Sequence, residues 1–400
     1  PRPTIRFWHY GRAQGCEAWA AVSIDSPHAT VRGVRILIDG EEADVTMVGL
    51  RLRGPAGSVF NVDNCEFIQA RPGTGQKRLT SLAVAASEAA NLNLNGCRWL
   101  SFTDIRNPGL DGETLLNGPF GGDDAVLRDG PVGIKATDCA FGPHAAAFRL
   151  EGGREAALAL DHCSVLLAGP AAVFDVRAGA AAALDVQACL FSHPDGPAAG
   201  AAPAQGAVLI RQADATDTVS YNDGDNRYHG LDAYWTIGGH DDQGDWREFK
   251  DRVQAKAASL ELKDSPWAND PLQAFRSYNF REDRADDHFL AAFQIKESEP
   301  NLRVSSGKGL PVGVEKLGGA STTYVAHFRE ADRQAELARM RQRIVDPAKA
   351  SDSAKRTYKT LAEALSASES GDEIVLRWDG PQRVPPSRLG GAKLQDVTIR

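Results

Sequence analysis

Several features are scarce in this 400-residue sequence, and each absence excludes a class of protein. No stretch reaches the eighteen or more apolar residues that a transmembrane helix needs, so we expect no membrane span in this segment. Cations are not in excess, since 45 Lys and Arg stand against 53 Asp and Glu and give a formal net charge of −8. A phosphate-binding surface needs clustered cations, and we therefore expect no nucleic-acid partner.

Cysteine and methionine are also rare. Six cysteines in a chain of this length are too few for a disulfide scaffold, and their spacing fits no CxxC metal motif. There are only two methionines, and the chain opens with Pro1, Arg2 and Pro3, so we expect it to belong to a larger parent chain. A hydrophobic content of 42% argues against global disorder.

Five of the cysteines mark an internal repeat. They are Cys65, Cys97, Cys139, Cys163 and Cys189. Aligned on them without gaps, apolar residues recur five positions before the cysteine, at Phe60, Leu92, Ile134, Leu158 and Leu184. They recur three positions before it, at Val62, Leu94, Ala136, Leu160 and Val186. Two positions after it stand Phe67, Trp99, Phe141, Val165 and Phe191. Alternation with a period of two indicates strands.

Two earlier columns complete each repeat. Thirteen residues before the cysteine stand Leu52, Val84, Val126, Leu150 and Val176. Fifteen residues before it stand Leu50, Leu82, Asp124, Phe148 and Phe174, so Asp124 alone breaks the apolar pattern. Three short strands in repeats of 24 and 26 residues predict one coil each of a parallel solenoid. Leucine-rich and helical repeats would instead show a helical apolar period.

Stacked coils would place the five cysteines above one another. The interpretation that we favour is a small polarizable side chain that fills a tight interior corner, and the alternative is metal or redox chemistry. Asn, Asp or Gly often precedes the cysteine, as in Asp63 with Asn64 and Asn95 with Gly96. These residues accept left-handed backbone angles and predict a turn there.

The pattern LxLxxCxF, as in residues 92–99, resembles the right-handed parallel β-helix superfamily, whose fold is pectate-lyase-like. The resemblance covers residues 20–235, and is most similar to β-helix modules of large bacterial multidomain proteins, some of which also carry a signalling kinase. It implies an all-β fold and an extracytoplasmic location. Because the superfamily includes lyases, glycoside hydrolases, epimerases, tailspikes and adhesins, function has to be argued from a site.

The sequence predicts four regions. The right-handed parallel β-helix covers residues 1–235, and a small mixed α/β capping subdomain covers 236–326, with Trp246, Phe249 and Val253 on one helix face. A charged helical linker is expected in 327–355. Residues 356–400 are expected to begin a second β-helix module that the sequence does not complete.

The longest inter-strand loop, 100–124, is the first place to look for sugar chemistry. Asp104, Arg106 and Asp111 in this loop are candidate binding residues, and Asp123, Asp124, Arg128 and Lys135 are candidate catalytic residues. A lyase would need carboxylates for Ca²⁺ and a Lys or Arg base, and a glycosidase would need two carboxylates. A solvated charged surface is the competing interpretation. Other than this possible Ca²⁺, no cofactor is expected.

A second polar run contains candidate metal ligands. His229, His240, Asp241 and Asp242 are dense enough in imidazole and carboxylate groups to bind a divalent cation, although an ordinary charged loop explains them as well.

Three functional hypotheses follow. The leading one is a non-catalytic, extracytoplasmic binding or structural module with a polysaccharide or protein ligand, because the outward columns are regular and carry little polar concentration. One alternative is a polysaccharide lyase or glycoside hydrolase with its site beside the 100–124 loop. The other is the sensor region of a signalling protein whose kinase lies outside this chain, since the sequence has no kinase motif.

Overall fold

The computed structural model describes residues 4–8, 18–39, 46–70, 79–86, 90–102, 123–128, 132–151, 155–196, 206–238, 240–243, 245–254, 258–277, 292–296, 300–303, 341–354, 356–368, 372–377, 381–383, 387–389 and 397–399. These residues form a parallel β-helix, as predicted, in which three long sheets, A, B and C, wind around one apolar core. Within the described residues, every pair of adjacent strands in the sheets is parallel except β23 with β24.

Each sheet takes one strand from each successive coil. Sheet A consists, from end to end, of β29 (Pro381–Arg383), β1 (Thr4–Trp8), β4 (Arg35–Asp39), β7 (Glu66–Ala70), β10 (Arg98–Phe102), β13 (Ala140–Phe141), β16 (Ser164–Leu166), β19 (Leu190–Ser192), β22 (Arg227–His229) and β25 (Leu260–Leu262). Sheet B consists of β30 (Ser387–Leu389), β2 (Ala18–Asp25), β5 (Thr46–Gly54), β8 (Leu79–Ala86), β11 (Asp123–Arg128), β14 (Ala146–Leu150), β17 (Ala172–Val176), β20 (Val208–Gln212), β23 (Ala233–Ile237) and β24 (His240–Gln243).

Sheet C closes the coil and is the longest of the three. It consists of β27 (Thr357–Tyr358), β26 (Arg341–Val345), β28 (Asp372–Leu376), β31 (Val397–Ile399), β3 (His28–Arg32), β6 (Ser58–Asp63), β9 (Ala90–Asn95), β12 (Val132–Thr137), β15 (Glu155–Asp161), β18 (Ala181–Gln187) and β21 (Val219–Gly224). The chain passes from A to B to C and back to A, and we name the corners between sheets A–B, B–C and C–A accordingly.

The predicted inward columns are confirmed on sheets A and C. Leu92 pairs with Phe60 and Ile134, and Trp99 pairs with Phe67 and Phe141. The Trp99 ring lies 5.3 Å from the Phe67 ring and 4.5 Å from the Phe141 ring, both nearly parallel. Aromatic stacking along the solenoid axis therefore adds to the burial of these side chains.

Two predicted column positions on β11 of sheet B are wrong. Ala125, not Asp124, pairs with Leu82 and Phe148, and Leu127, not Val126, continues the column thirteen residues before the cysteine. The reason is that Leu127 and Ile134 are seven residues apart, whereas the corresponding residues of neighbouring coils are eight apart. An alignment without gaps cannot detect that this connection, at the B–C corner, is one residue shorter.

The C–A corner repeats with little change. The residue before each cysteine has a left-handed φ between 51° and 60°, at Asn64, Gly96, Asp138, His162 and Ala188. This confirms the predicted turn. The five thiols are buried and form no disulfide, and burial raises the pKa of Cys139 and Cys189 well above the ordinary range. Cys97 Sγ donates to the Val62 carbonyl, 3.1 Å away, so the thiol also satisfies a corner carbonyl.

The row of stacked cysteines ends at Cys189, and Asn226 takes the equivalent position in the next coil. Its side-chain oxygen accepts from Cys189 N at 2.8 Å, and its amide nitrogen donates to Val186 O at 2.9 Å. It also donates to Asp223 Oδ1, which accepts in addition from the Tyr228 hydroxyl. The last coil thus buries a polar network where earlier coils bury apolar side chains.

A short helix covers this end of the solenoid. Helix α1 (Trp246–Val253) begins at Asp245, whose carboxylate accepts from Glu248 N at 2.8 Å. Phe249 is fully buried and packs against Tyr221, Tyr228 and Tyr234, with ring centroids 5.1–6.0 Å apart. Covering the last coil protects its apolar surface. A further short helix, α2, covers Pro271–Ser277.

The opposite end is built from the far end of the chain. Strands β29, β30 and β31 pair with β1, β2 and β3, so they extend the same three sheets, where the sequence analysis expected a separate second module. Helix α3 (Leu361–Ser366) also belongs to this end, with Leu361, Ala364 and Leu365 buried.

The predicted helical linker, 327–355, is wrong at residues 341–345. Residues 341–345 form β26, in which Arg343 and Val345 are buried and Gln342 and Ile344 are half-buried. Arg343 Nε donates to Asp372 Oδ2 at 2.5 Å and Arg343 Nη1 donates to the Tyr358 hydroxyl at 2.7 Å. This buried ion pair requires the alternation of a strand. Residues 327–340 lie outside the described part of the chain. No helix in the described part is long and apolar enough to cross a bilayer.

Candidate functional site

The candidate catalytic residues are divided between two sheets. Asp123 and Asp124 lie on β11 in sheet B and are buried, whereas Lys135 lies on β12 in sheet C and points outward into solvent. Arg128 ends β11, but its side chain lies outside the described part of the structure. The geometry therefore does not bring Lys135 and the two carboxylates onto one face.

Asp124 forms a buried pair with a histidine that the sequence analysis missed. Asp124 Oδ1 lies 2.7 Å from His144 Nδ1, and the two side chains are 0% and 1% exposed. Burial raises the pKa of Asp124 to about 6, although His144 opposes the shift. His144 lies between β13 and β14 at the A–B corner, and only the coordinates relate it to Asp124.

Asp123 belongs to a charged network on the outer face of sheet B. Arg149 lies between Asp123 and Asp175, with N–O distances of 3.9 and 3.8 Å, and its Nε donates to Glu151 at 2.7 Å. Arg177 pairs with Asp175 at 2.7 Å. Asp123 and Asp175 are 1% and 2% exposed. Because the charges neutralise one another, we interpret these ion pairs as a structural network.

The remaining candidates are only partly described. Asp104, Arg106 and Asp111 lie outside the described residues, and so do the side chains of His240, Asp241 and Asp242, although β24 is described as a strand. Within the described residues, no group of three or more His, Cys, Asp or Glu is arranged to hold a metal ion.

His229 takes part in a polar cluster on the outer side of sheet A. Its Nδ1 lies 3.0 Å from Ser192 Oγ, which also accepts from Trp267 Nε1 at 2.9 Å. Burial lowers the pKa of His229, and the neighbouring His193 lowers it further. His193 Nδ1 lies 3.2 Å from Asp232 Oδ2, so the acid orients His193 and not the histidine beside Ser192. The serine, histidine and aspartate therefore do not form a catalytic triad.

The outer face of sheet A is covered over much of its length. Trp267, Phe275 and Phe293 are at most 2% exposed and pack on a cluster of outward apolar side chains. The members of this cluster on sheet A are all buried: Leu37, Ile68, Leu100, Ala140, Leu166 and Leu190. Sheet A consequently offers little outward surface for a ligand.

Part of the outer face of sheet B is also closed. Ala172, Val208 and Ala233 form a column of register partners that is fully buried, and Asp175 and Thr236 beside it are almost as inaccessible. A flat ligand cannot reach this part of sheet B in the described conformation.

The outer face of sheet C is open. On the strands from β3 to β18, all described outward side chains are half-buried or exposed, and this continues through Asn222 on β21. The exposed members include Asn91, Asn95, Lys135 and Asp185. Seven strands at a spacing of about 4.8 Å make a surface roughly 29 Å long.

Asparagines are concentrated at one place on this face. Asn91, Asn93 and Asn95 alternate outward along β9, and Asn61 is the register partner of Asn93 on β6. We call these four residues the amide patch. Asn93 Nδ2 donates to Asn61 Oδ1 at 3.0 Å, and Asn95 Nδ2 donates to Asp63 Oδ1 at 2.8 Å. Such bonds orient the amides before any ligand binds.

Glycine leaves room beside the amide patch. Gly133 is the register partner of Asn91 on β12, and a Cβ at this glycine would lie 2.8 Å from Asn91 Oδ1. Farther along, Asn222 Nδ2 donates to Asp185 Oδ1 at 2.8 Å, so the pre-orientation of polar side chains recurs along the sheet. None of these side chains was among the candidate site residues predicted from the sequence.

Comparison with known proteins finds no match. No family model, no curated protein and no solved structure is significantly similar to this chain.

Proposed function

We propose that this chain is a non-catalytic binding module that recognises a neutral polysaccharide along the outer face of sheet C. The observation that carries the proposal is that this face is open and bears ordered amides, while the outer face of sheet A is largely covered and that of sheet B is closed in part. An extracytoplasmic location, where such polymers occur, fits this ligand.

Amides suit a ligand that is rich in hydroxyl groups. An asparagine side chain offers both a donor and an acceptor, and so does each sugar hydroxyl. The amide patch supplies four such side chains on two adjacent strands, where a regular strand spacing repeats the same chemistry along one direction. A polymer with repeating hydroxyl groups can match that repetition.

The charges on the face favour a neutral ligand over an acidic one. Asp63, Glu155, Asp161 and Asp185 lie on this face, against the cations Arg32 and Lys135. Arg32 is already paired with Asp63 at 3.0 Å. An anionic polymer would meet uncompensated carboxylates, which disfavour its binding.

Calorimetry and affinity electrophoresis with a panel of neutral and uronate polysaccharides would test the proposal. We expect a neutral polysaccharide to bind, and Asn91→Ala with Asn93→Ala to weaken that binding about tenfold or more, because two outward amides of the patch are lost. Lys263→Ala, at an exposed position outside sheet C, is the matched control and should bind like the parent.

Two results would reject the proposal. One is binding of a polysaccharide that is unchanged by the Asn91 and Asn93 substitutions but lost on changing another face. The other is absence of binding to every neutral polysaccharide in the panel, together with turnover of a glycan, with or without Ca²⁺. The second result would favour the lyase or hydrolase alternative, whose carboxylates at Asp123 and Asp124 are buried in the described structure.

A further inference from the structure

The solenoid is closed at one end by residues that are distant in sequence. We call residues 341–399 the terminal segment; its strands β29, β30 and β31 add one further coil next to β1, β2 and β3. All three sheets continue through this junction without a change of direction.

The junction has the geometry of any other step between coils. Thr4 pairs with Pro381 on one side and with Arg35 on the other, and Thr30 pairs with Thr398 on one side and with Asn61 on the other. Ile399 is 2% exposed and belongs to the same apolar core as Val31. The edge formed by β1, β2 and β3 is therefore complementary to the terminal segment in backbone hydrogen bonding and in side-chain packing.

The covalent connection does not restrict which copy supplies the segment. Residues 304–340 join the described body to the terminal segment, and 37 residues can span at most about 120 Å. The ten strands of sheet A extend over only about 43 Å. The connection can thus reach the edge of its own solenoid with length to spare, and the edge of a neighbouring one.

We propose that the edge formed by β1, β2 and β3 is an interaction surface for the terminal segment of a second copy of this chain. The contacts are the same whichever copy donates the segment, so the balance depends on the protein concentration relative to the effective concentration within one chain. Donation from one copy to the next is head to tail and links chains in a row. This inference does not depend on the proposed polysaccharide ligand.

Cross-linking of two single-site variants tests the exchange. In a Cys16→Ser background, one full-length chain carries Thr30→Cys and the other Thr398→Cys, at positions that are register partners roughly 5 Å apart. Because the five stacked cysteines are at most 1% exposed, their thiols do not react with a short bismaleimide in the folded protein. The variants are mixed, unfolded, refolded together at 10 and 200 µM, and then cross-linked.

We expect a cross-linked species of twice 42.9 kDa from the mixture, with a yield that rises about tenfold between the two concentrations. Either variant alone, and a mixture of Asn222→Cys with Thr398→Cys, should give none, since Asn222 lies seven strands away on the same face. A chain carrying both Thr30→Cys and Thr398→Cys reports closure within one copy. The proposal is overturned if that chain cross-links only as a monomer and the mixture gives no dimer, or if neither gives any product.

Discussion

The C–A and A–B corners of the same solenoid follow opposite rules. Every C–A corner between β3 and β22 has two residues, of which the first is left-handed and the second is usually a buried cysteine. The A–B corners vary from three residues, 230–232, to twenty, 103–122. Buried polar pairs collect at the variable corner, as in Asp124 with His144 and His193 with Asp232.

The two corners divide two tasks between them: one sets the strand register and the other accommodates changes in length. Because the C–A corner has a constant length, equivalent residues of successive coils pair with one another and the core stays apolar. The variable corner can then accept insertions without disturbing the strands, and its buried polar groups pair with one another locally.

The largest expected effect is an insertion that breaks the constant corner. One glycine inserted between Asp138 and Cys139 would disturb the phase of β13 and the stack of Phe141 on Trp99. We expect a loss of about 5 kcal/mol or more in the free energy of unfolding, or no folded protein. The same insertion within residues 103–122 should cost less than about 1 kcal/mol, because closing a slightly longer loop costs little. Urea unfolding of both variants measures this contrast, and equal losses would contradict it.

A smaller effect is expected from protonation at the variable corner. The pKa of Asp124 is raised from 3.8 to about 6 in the folded chain, so the folded state holds this proton more tightly than the unfolded state does. The contribution of Asp124 to stability is therefore full below about pH 4 and is lost as the pH rises through 6. The shift corresponds to a loss of about 3 kcal/mol between pH 4 and pH 7.

Asp124→Asn is the control for this pH effect, because the amide has a similar size and no titrating proton. Urea unfolding from pH 4 to pH 7.5 should show a steeper loss of stability for the parent chain than for the variant. Parallel curves for the two chains would show that Asp124 does not titrate as described.

The smallest effect should come from relieving left-handed angles at the constant corner. Ala188 has φ 51°, which costs an L residue roughly 1–2 kcal/mol, whereas glycine accepts this angle freely. Because glycine also loses more entropy on folding, Ala188→Gly should stabilise the chain by about 0.5–1 kcal/mol net.

Gly96→Ala tests the same angle in the opposite direction, since Gly96 has φ 60° at the equivalent position. Thermal or urea unfolding should show a loss of about 1 kcal/mol for this variant. If Gly96→Ala stabilises the chain, the left-handed turn is not a constraint on the corner.

The sequence predicted the parts of the fold that depend on local periodicity. The columns that include Phe60, Leu92 and Trp99 are confirmed because a constant corner keeps the spacing to the cysteine fixed. The assignment of Asp124 to an inward column was wrong because the chain between Leu127 and Ile134 is one residue shorter than in the neighbouring coils. An alignment without gaps cannot detect this difference.

Contacts between distant segments could not be predicted. Nothing local indicates that Trp267 and Phe293 cover sheet A, or that β29 pairs with β1. The asparagines of the amide patch were not among the predicted site residues, because the contrast between the open sheet C and the covered sheet A depends on contacts between distant segments.

Five cysteine side chains lie in one row inside the coils of the parallel β-helix. Sulfur anomalous diffraction from crystals of the chain would locate these sulfur atoms. Five peaks along one line, separated by about 5 Å, are predicted for Cys65, Cys97, Cys139, Cys163 and Cys189. Peaks that are scattered, or that merge in pairs at the separation of a disulfide, would contradict the account.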